Sequence, residues 1–406
     1  MTLIAASRVI PAVAGSSVLE PGYVAAAGGL VTEVGAGPPP GDPDVTLAEG
    51  VLVPGLVDLQ VNGFFGVDLA EGDPAGWARV AARLPETGTT AFLPTFITAP
   101  VAELAASLRK ARKIGSEVPA GARVLGVHLE GPFLSPARAG AHRRDWIVPP
   151  SAGAVAELLA AGQGMLRLVT LAPEAEGALA AVATLAAAGV LVSVGHSDAT
   201  ARQVASAAAA GARMVTHLFN AQRGIHHREP GVAGRALTDP RLTSGLIVDL
   251  CHVAAEVCAI AFAAAPGRIC LVTDAAACAG MPPGRYLLGG EPVELPPGGG
   301  APVRADGTLA GSALRMDMAV ANAVGVGLGL PEAVAAASRI PADLIGRPDL
   351  GRLAPGAAAD LVWLGDDLRA RCAWVAGEQV YPLTTALDGP CAEPPGLAGG
   401  SPPGPR

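Results

Sequence analysis

Between residues 57 and 274 the chain repeats one pattern: a short apolar, β-branched run, then an Ala-rich stretch of helical length. Eight runs fit it: Val57–Val61, Ala91–Thr95, Val124–Leu129, Arg167–Leu171, Leu191–Gly195, Arg213–His217, Gly245–Asp249 and Ile269–Asp274. A run that is apolar throughout, rather than at alternate positions, suits a strand covered on both faces by helices. Eight such units predict an α/β fold, a closed (β/α)8 TIM barrel. An open doubly wound sheet is the alternative. It normally carries a GxGxxG turn after its first strand, and Asn62-Gly63-Phe64-Phe65-Gly66 does not match.

Helix ends are legible between the runs. Asp73-Pro74 reads as N-cap and first helical residue, with Gly88 stopping that helix; Pro100 opens the next and Gly115 ends it. The helix after Gly195 is expected to be capped by Ser197 or Asp198 and to end near Gly211. Before the barrel, Thr2–Ile10, Tyr23–Ala27 and Leu30–Val34 read as strands broken by turns; after it, Ala359–Leu364 and Ala373–Tyr381 do, the latter turning at Gly377-Glu378. The simplest economy joins both sets into one small β-sandwich. The expected division is therefore 1–52 plus 352–387 for the sandwich and 53–351 for the barrel. The Pro- and Gly-rich tail 388–406 is expected to be disordered.

Composition removes several classes of partner. Lys and Arg number 28 against 36 Asp and Glu, a net charge of −8, and no basic cluster stands out, which argues against nucleic acid. No apolar run approaches the roughly 18–20 residues of a membrane span, and the start Met1-Thr2-Leu3-Ile4 lacks the basic and apolar regions of a signal peptide. The six cysteines (Cys251, Cys258, Cys270, Cys278, Cys372, Cys391) form no CxxC pair and lie mostly in apolar stretches, so reduced thiols and a cytoplasmic location are expected.

In a barrel the chemistry sits at the C-terminal strand ends. The first run carries Asp58, Gln60 and Asn62, and the third His128-Leu129-Glu130; the fifth reaches His196-Ser197 and the sixth His217 with Asn220 beyond; the seventh ends at Asp249 with His252 beyond, and the eighth at Thr273-Asp274. So many ionisable groups at one rim need a partner, and a divalent metal is the obvious one. Glu130, His196 and His217 make the two-His, one-carboxylate set of a catalytic metal centre with an open position. Asp274 is placed to take a proton from an activated water and return it to a leaving group. The bland alternative, an N-cap role for Asp274, fits poorly with the Ala275–Gly280 sequence that follows.

These residues carry a likeness. Pro54–Gly63, His128–Leu134 with Gly140-Ala141-His142, Gly195–Ser197, Thr216–Ala221, His226–Gly231, Leu271–Asp274, Gly307–Ser312 and Leu353–Asp360 run in order along the chain. In them the chain resembles the amidohydrolase superfamily, and within it the family of N-acetylglucosamine-6-phosphate deacetylases. The resemblance implies hydrolysis of N-acetyl-D-glucosamine 6-phosphate to D-glucosamine 6-phosphate and acetate. It implies Glu130, His196 and His217 as metal ligands and Asp274 as general base and then acid. His142 would polarise the acetyl carbonyl and steady the oxyanion, with Ala141 beside it. Asn220, Ala221 and Arg228 would bind the phosphate, Arg228 reaching across a homodimer interface. Asp249 and His252 belong to the segment that contacts the sugar, and the loop Leu309, Ala310, Gly311 and Ser312 would close over it.

The metal count follows from residue availability. Many members of this superfamily carry His-x-His at the first strand and a carboxylated lysine that bridges two metals; here the first strand offers Gln60 and Asn62, and the only two lysines, Lys110 and Lys113, both lie in the helical stretch Ala99–Ile114, which excludes the bridged design. One divalent ion per subunit is expected, Zn²⁺ first, with Fe²⁺, Mn²⁺ or Co²⁺ also suited to these donors; Gln60 and Asn62 mark a possible weak second site. Two departures from the family pattern bear on the sugar: Leu250 stands where Gly is expected, and Gln222-Arg223 adds a basic residue, read as a solvated loop charge. The competing readings are a deacetylase for another N-acetyl hexosamine phosphate, such as the galactosamine type, and a non-catalytic sugar-phosphate-binding barrel.

Overall fold

The computed structural model of the chain describes residues 1–115 and 121–382. The tail 388–406, the end of the expected sandwich segment beyond 382, and Cys391 lie outside the described residues.

Eight parallel strands form the barrel: Leu56–Val61, Thr89–Ile97, Val127–Glu130, Leu166–Leu171, Leu191–Val194, Met214–Val215, Thr243–Leu246 and Ile269–Leu271. Each pairs with the next in sequence order. The circle closes where Asp274 N donates to Gln60 O at 2.9 Å and Asn62 N donates to Ala275 O at 2.9 Å. Nearly every strand residue is buried, because side chains on one face fill the barrel and those on the other meet the helices. The closed form, rather than an open sheet, follows from that last pairing.

The last three barrel strands are shorter than the apolar runs. His217 and Asp274 lie beyond the ladder with φ of 28° and 51°, so the chain has already left the strand when it presents them. The run Val124–Leu129 is split at Gly126, whose φ of 140° breaks it into Arg123–Val124 and Val127–Glu130. Helix Pro74–Arg83 is capped by Asp73, which accepts from Gly76 N at 2.7 Å. The helix Ala201–Ala210 is a correction: its cap is Thr200, in a capping box with Gln203, and neither Ser197 nor Asp198. Ser197 is instead spent on Glu174, its Oγ donating to Oε2 at 2.7 Å.

The N- and C-terminal segments build two four-stranded sheets. One runs Leu30–Ala36, Gly22–Ala27, Thr2–Ala6, Val45–Leu47; the other Glu378–Tyr381, Ala370–Val375, Leu361–Leu364, Val51–Pro54. Ile4, Val24, Val31, Leu52, Leu361 and Trp374 form their shared core. The expected strand Thr2–Ile10 ends at Ala6, because Arg8 and Ile10 cross over and pair with Leu52 of the second sheet. Arg123 grips buried Asp360 with two bonds of 2.9 and 3.0 Å, tying this unit to the barrel. A hairpin the sequence reading did not foresee, Gly284–Leu288 with Glu291–Leu295, leans on the rim; Asp68 Oδ2 accepts from its Gly289 N at 2.6 Å. No helix among the described residues is long and apolar enough to cross a membrane.

Candidate active site

A cavity of about 370 Å³ opens at the C-terminal rim, within the size range of small-molecule sites. Its floor is a compact polar cluster. Glu130 Oε1 lies 3.1 Å from His196 Nε2 and 2.8 Å from His217 Nε2, and the two Nε2 atoms are 3.1 Å apart. His196 Nδ1 is 2.9 Å from the carbonyl oxygen of Arg138, which fixes its proton on Nδ1 and leaves a lone pair on Nε2. Three electron-pair donors thus converge on one point, an arrangement that asks for a cation, and these Glu and His residues could hold a metal.

His142 is the other histidine at this point; with Glu130 and His196 it offers ligand atoms within 4.8 Å of one another. Its hydrogen bonds argue for a different part. Thr98 N–H donates to His142 Nδ1 at 3.2 Å, so the proton of the neutral ring sits on Nε2, 4.0 Å from Glu130 Oε2. Burial, reinforced by His196, holds His142 well below the usual imidazole range, so the ring is neutral. It faces the cavity as a hydrogen-bond donor, whereas a metal ligand there would need a lone pair.

Asp274 completes the floor. Its Oδ1 accepts from Asn62 Nδ2 at 2.7 Å and from Gln60 Nε2 at 3.0 Å; Gln60 Nε2 also approaches Glu130 Oε2 at 3.3 Å. Burial, with the charge of Glu130 adding to it, pushes the Asp274 carboxyl up to about 6. For Glu130 burial alone would act upward, but the imidazoles of His196 and His217 against its Oε1 outweigh it and hold the group well below the carboxylate range. Gln60 and Asn62 turn their amide nitrogens to these carboxylates, and their oxygens are buried without a partner among the described residues.

One layer down, a buried hydroxyl chain crosses the barrel interior: His128 Nε2 to Thr170 Oγ1 at 2.8 Å, Thr170 to Thr216 at 2.7 Å, and Ser193 to Thr216 at 2.6 Å. It ties together the strands that lead to Glu130, His196 and His217. Positive φ gathers at the rim above, at His196, His217, Ala221 and Asp274. Backbone held in this region is costly and persists where the surroundings over-determine it.

The remaining expected residues are distributed unevenly. Ala141, Asn220, Ala221, His252, Leu309 and Gly311 line the cavity. Asp249 lies behind His252, its Oδ2 bonded to Nδ1 at 2.7 Å and its Oδ1 capping the turn. Ala310 and Ser312 are buried beneath the loop; Ser312 N donates to Asp274 O at 2.8 Å and its Oγ to Thr273 O at 2.6 Å, so they buttress the aspartate. Arg228 is exposed, bonded to His227 at 2.7 Å, and lies outside the lining of its own chain's cavity. Leu250 is 43% exposed with φ 62° and also lies outside the lining. Arg223 lies outside the lining and keeps a third of its side chain exposed, as expected of a loop charge, but it is paired with Asp198 at 2.6 Å. Both lysines sit exposed on the outer helix Val101–Gly115, and neither lines the cavity. Sequence reasoning missed Arg138, Ile97 and Leu288 in the lining and Thr98 behind His142.

Comparison with known proteins agrees with this geometry. The model of the amidohydrolase family matches residues 51–380, and the chain belongs to that family. Among its relatives are the N-acetylgalactosamine-6-phosphate deacetylase of Escherichia coli O157:H7, 39% identical over 330 residues (81% of this chain, 87% of that protein), and the human N-acetylglucosamine-6-phosphate deacetylase, 39% identical over 349 residues (83% and 85%). A mutant N-acetyl-D-glucosamine-6-phosphate deacetylase from Mycobacterium smegmatis, solved in complex with N-acetyl-D-glucosamine-6-phosphate, superposes with a TM-score of 0.88 at 37% identity, covering 93% of this chain and 99% of that one.

Proposed function

We propose that the protein hydrolyses N-acetyl-D-glucosamine 6-phosphate to D-glucosamine 6-phosphate and acetate, in the metabolism of amino sugars. The observation that carries this reading is the convergence, in one cavity, of the Glu130–His196–His217 cluster, a neutral His142 with its Nε2–H facing inward, and a carboxylate, Asp274, tuned to about 6. Amide hydrolysis needs these parts: a site for an electrophilic cation, a donor for the oxyanion and a base that later acts as an acid.

Glu130, His196 and His217 would hold one divalent ion, with Zn²⁺ the best match to a two-imidazole, one-carboxylate set. Such an ion, when bound, supplies Lewis-acid polarisation of the amide and a lower pKa for the attacking water. The chain's own residues do the rest. Asp274 takes the proton of that water, held in line by Gln60 and Asn62. His142 Nε2–H donates to the oxygen that becomes negative as the acetyl carbon turns tetrahedral. Asp274 then gives its proton to the departing amine nitrogen, and the C–N bond breaks. Asn220 and Ala221 face the phosphate, and His252, oriented by Asp249, faces the sugar.

The active form in this reading is a cytoplasmic homodimer in which the partner subunit's Arg228 reaches the phosphate. The exposure of Arg228 on its own chain and of neighbouring Ile225, 56% exposed, supports a contact surface there. The test is acetate release from a panel of the 6-phosphates of N-acetylglucosamine and N-acetylgalactosamine and their unphosphorylated sugars. The expected result is fastest turnover of N-acetyl-D-glucosamine 6-phosphate. A preference for the galactosamine isomer would move the assignment to that substrate, and no release from any of them would refute the hydrolase.

A further inference from the structure

We infer that Arg138 binds the substrate phosphate from within the same subunit, a conclusion that rests on the deacetylase reading above. Arg138 is the one Lys or Arg among the described residues that line the cavity. It sits on the segment that faces the Asn220–Ala221 turn. A Cβ placed on Gly140, two residues on, would meet the Ala221 Cβ at 3.6 Å. The His196–Asp198 segment joins them: Ser197 N donates to Ala221 O at 3.1 Å, and Arg223 N donates to Ser197 O at 3.0 Å. Three segments therefore meet at the end of the cavity where Asn220 and Ala221 would take the phosphate.

The guanidinium is already oriented. Its Nε and Nη2 both bond Asp198 Oδ1, at 2.8 and 2.7 Å, and Asp198 is itself fixed by Arg223 at 2.6 Å and by its own N–H to Glu174 Oε1 at 2.6 Å. Nη1 makes no hydrogen bond among the described residues, and the side chain is 37% exposed. A planar fork pinned along one edge and free at Nη1 is suited to a phosphate oxygen, because its ordering cost is already met. A half-exposed ion pair with Asp198 alone contributes little to stability and gives no reason for Arg138 to line the cavity.

The residue has two separable parts. Its backbone carbonyl orients His196 and survives any side-chain substitution. Only the guanidinium should distinguish phosphorylated from unphosphorylated sugar. The experiment measures kcat/KM for N-acetyl-D-glucosamine 6-phosphate and for N-acetyl-D-glucosamine in the metal-loaded wild type, Arg138→Ala and Arg138→Lys. The ratio of the two constants should fall by about 10–100-fold in Arg138→Ala, the loss lying in KM for the phosphorylated sugar, with Arg138→Lys recovering part of it. A wild-type enzyme that prefers the phosphorylated sugar, with the ratio unchanged in both variants, overturns the Arg138 assignment alone. A wild type indifferent to the phosphate overturns this inference and the sugar-phosphate reading together.

Discussion

Replacing Asp274 by Asn should make a protein that is nearly inactive and yet more stable without metal. The carboxyl is buried and titrates at about 6, against about 4 for a free aspartate, so its ionised form is penalised in the folded state. For a carboxyl whose folded pKa is raised, the penalty is absent below both values, builds as pH rises from the free value of about 4 through about 6, and is complete above that. The difference corresponds to about 3 kcal/mol at pH 8. Asn keeps an oxygen for the Gln60 and Asn62 donors and turns its new N–H groups to the open cavity. The amide should therefore recover part of that penalty, about 1–2 kcal/mol after imperfect hydrogen bonding. Loss of the base should cut kcat by about 10²–10⁴-fold. Urea unfolding of the metal-free wild type and variant at pH 8 and pH 5 measures the first effect, and acetate release the second. The stability gain should be present at pH 8 and smaller at pH 5. A variant less stable at pH 8, or one with wild-type turnover, would refute the reasoning.

Other expectations follow from the same geometry. The kcat/KM of the metal-loaded wild type should fall toward acid pH, because Asp274 must be ionised to accept a proton, with the inflection at or below the value of about 6 that holds without the cation; an inflection well above 6, or none down to the pH at which the metal is lost, would contradict this. On the proposed role of His142 as oxyanion donor rather than ligand, His142→Ala should lower kcat by about 10²–10³-fold with little change in bound metal; metal analysis separates the two roles. Leu250→Gly should raise stability by about 0.5–1 kcal/mol, relieving a φ of 62° at an exposed leucine; the thermal midpoint reports it. Arg123→Ala should cost about 2–4 kcal/mol, since it leaves Asp360 buried without its charge partner; denaturant unfolding measures the loss.

The barrel was legible because strands buried on both faces write continuous apolar runs, and its rim because the chemistry of such a fold gathers at strand ends. Glu130, His196, His217 and Asp274 could be read for that reason. Their backbone state could not: His217 and Asp274 continue the apolar runs in sequence, yet the ladder has already ended before them. His142 and Arg138 sit in a loop with no period to mark them, and their partners, Thr98 and Asp198, are 44 and 60 residues away in sequence. The cap at Thr200 was missed because Ser197 and Asp198, equally good caps by type, are claimed by Glu174, Arg138 and Arg223. The hairpin bearing Leu288 was hidden by its glycines and by a proline, Pro292, within the second strand. Arg228 came from the family likeness alone, and on its own chain it is exposed, bonded to His227 and outside the cavity lining.

The most direct test of the whole account is a metal titration of the metal-free protein with acetate and free amine measured together. Restoring Zn²⁺ in steps should produce acetate and D-glucosamine 6-phosphate in equal amounts from N-acetyl-D-glucosamine 6-phosphate, with activity rising linearly and breaking at about one metal per chain. Activity that is indifferent to metal, a break at two metals per chain, or acetate without the matching amine would contradict it.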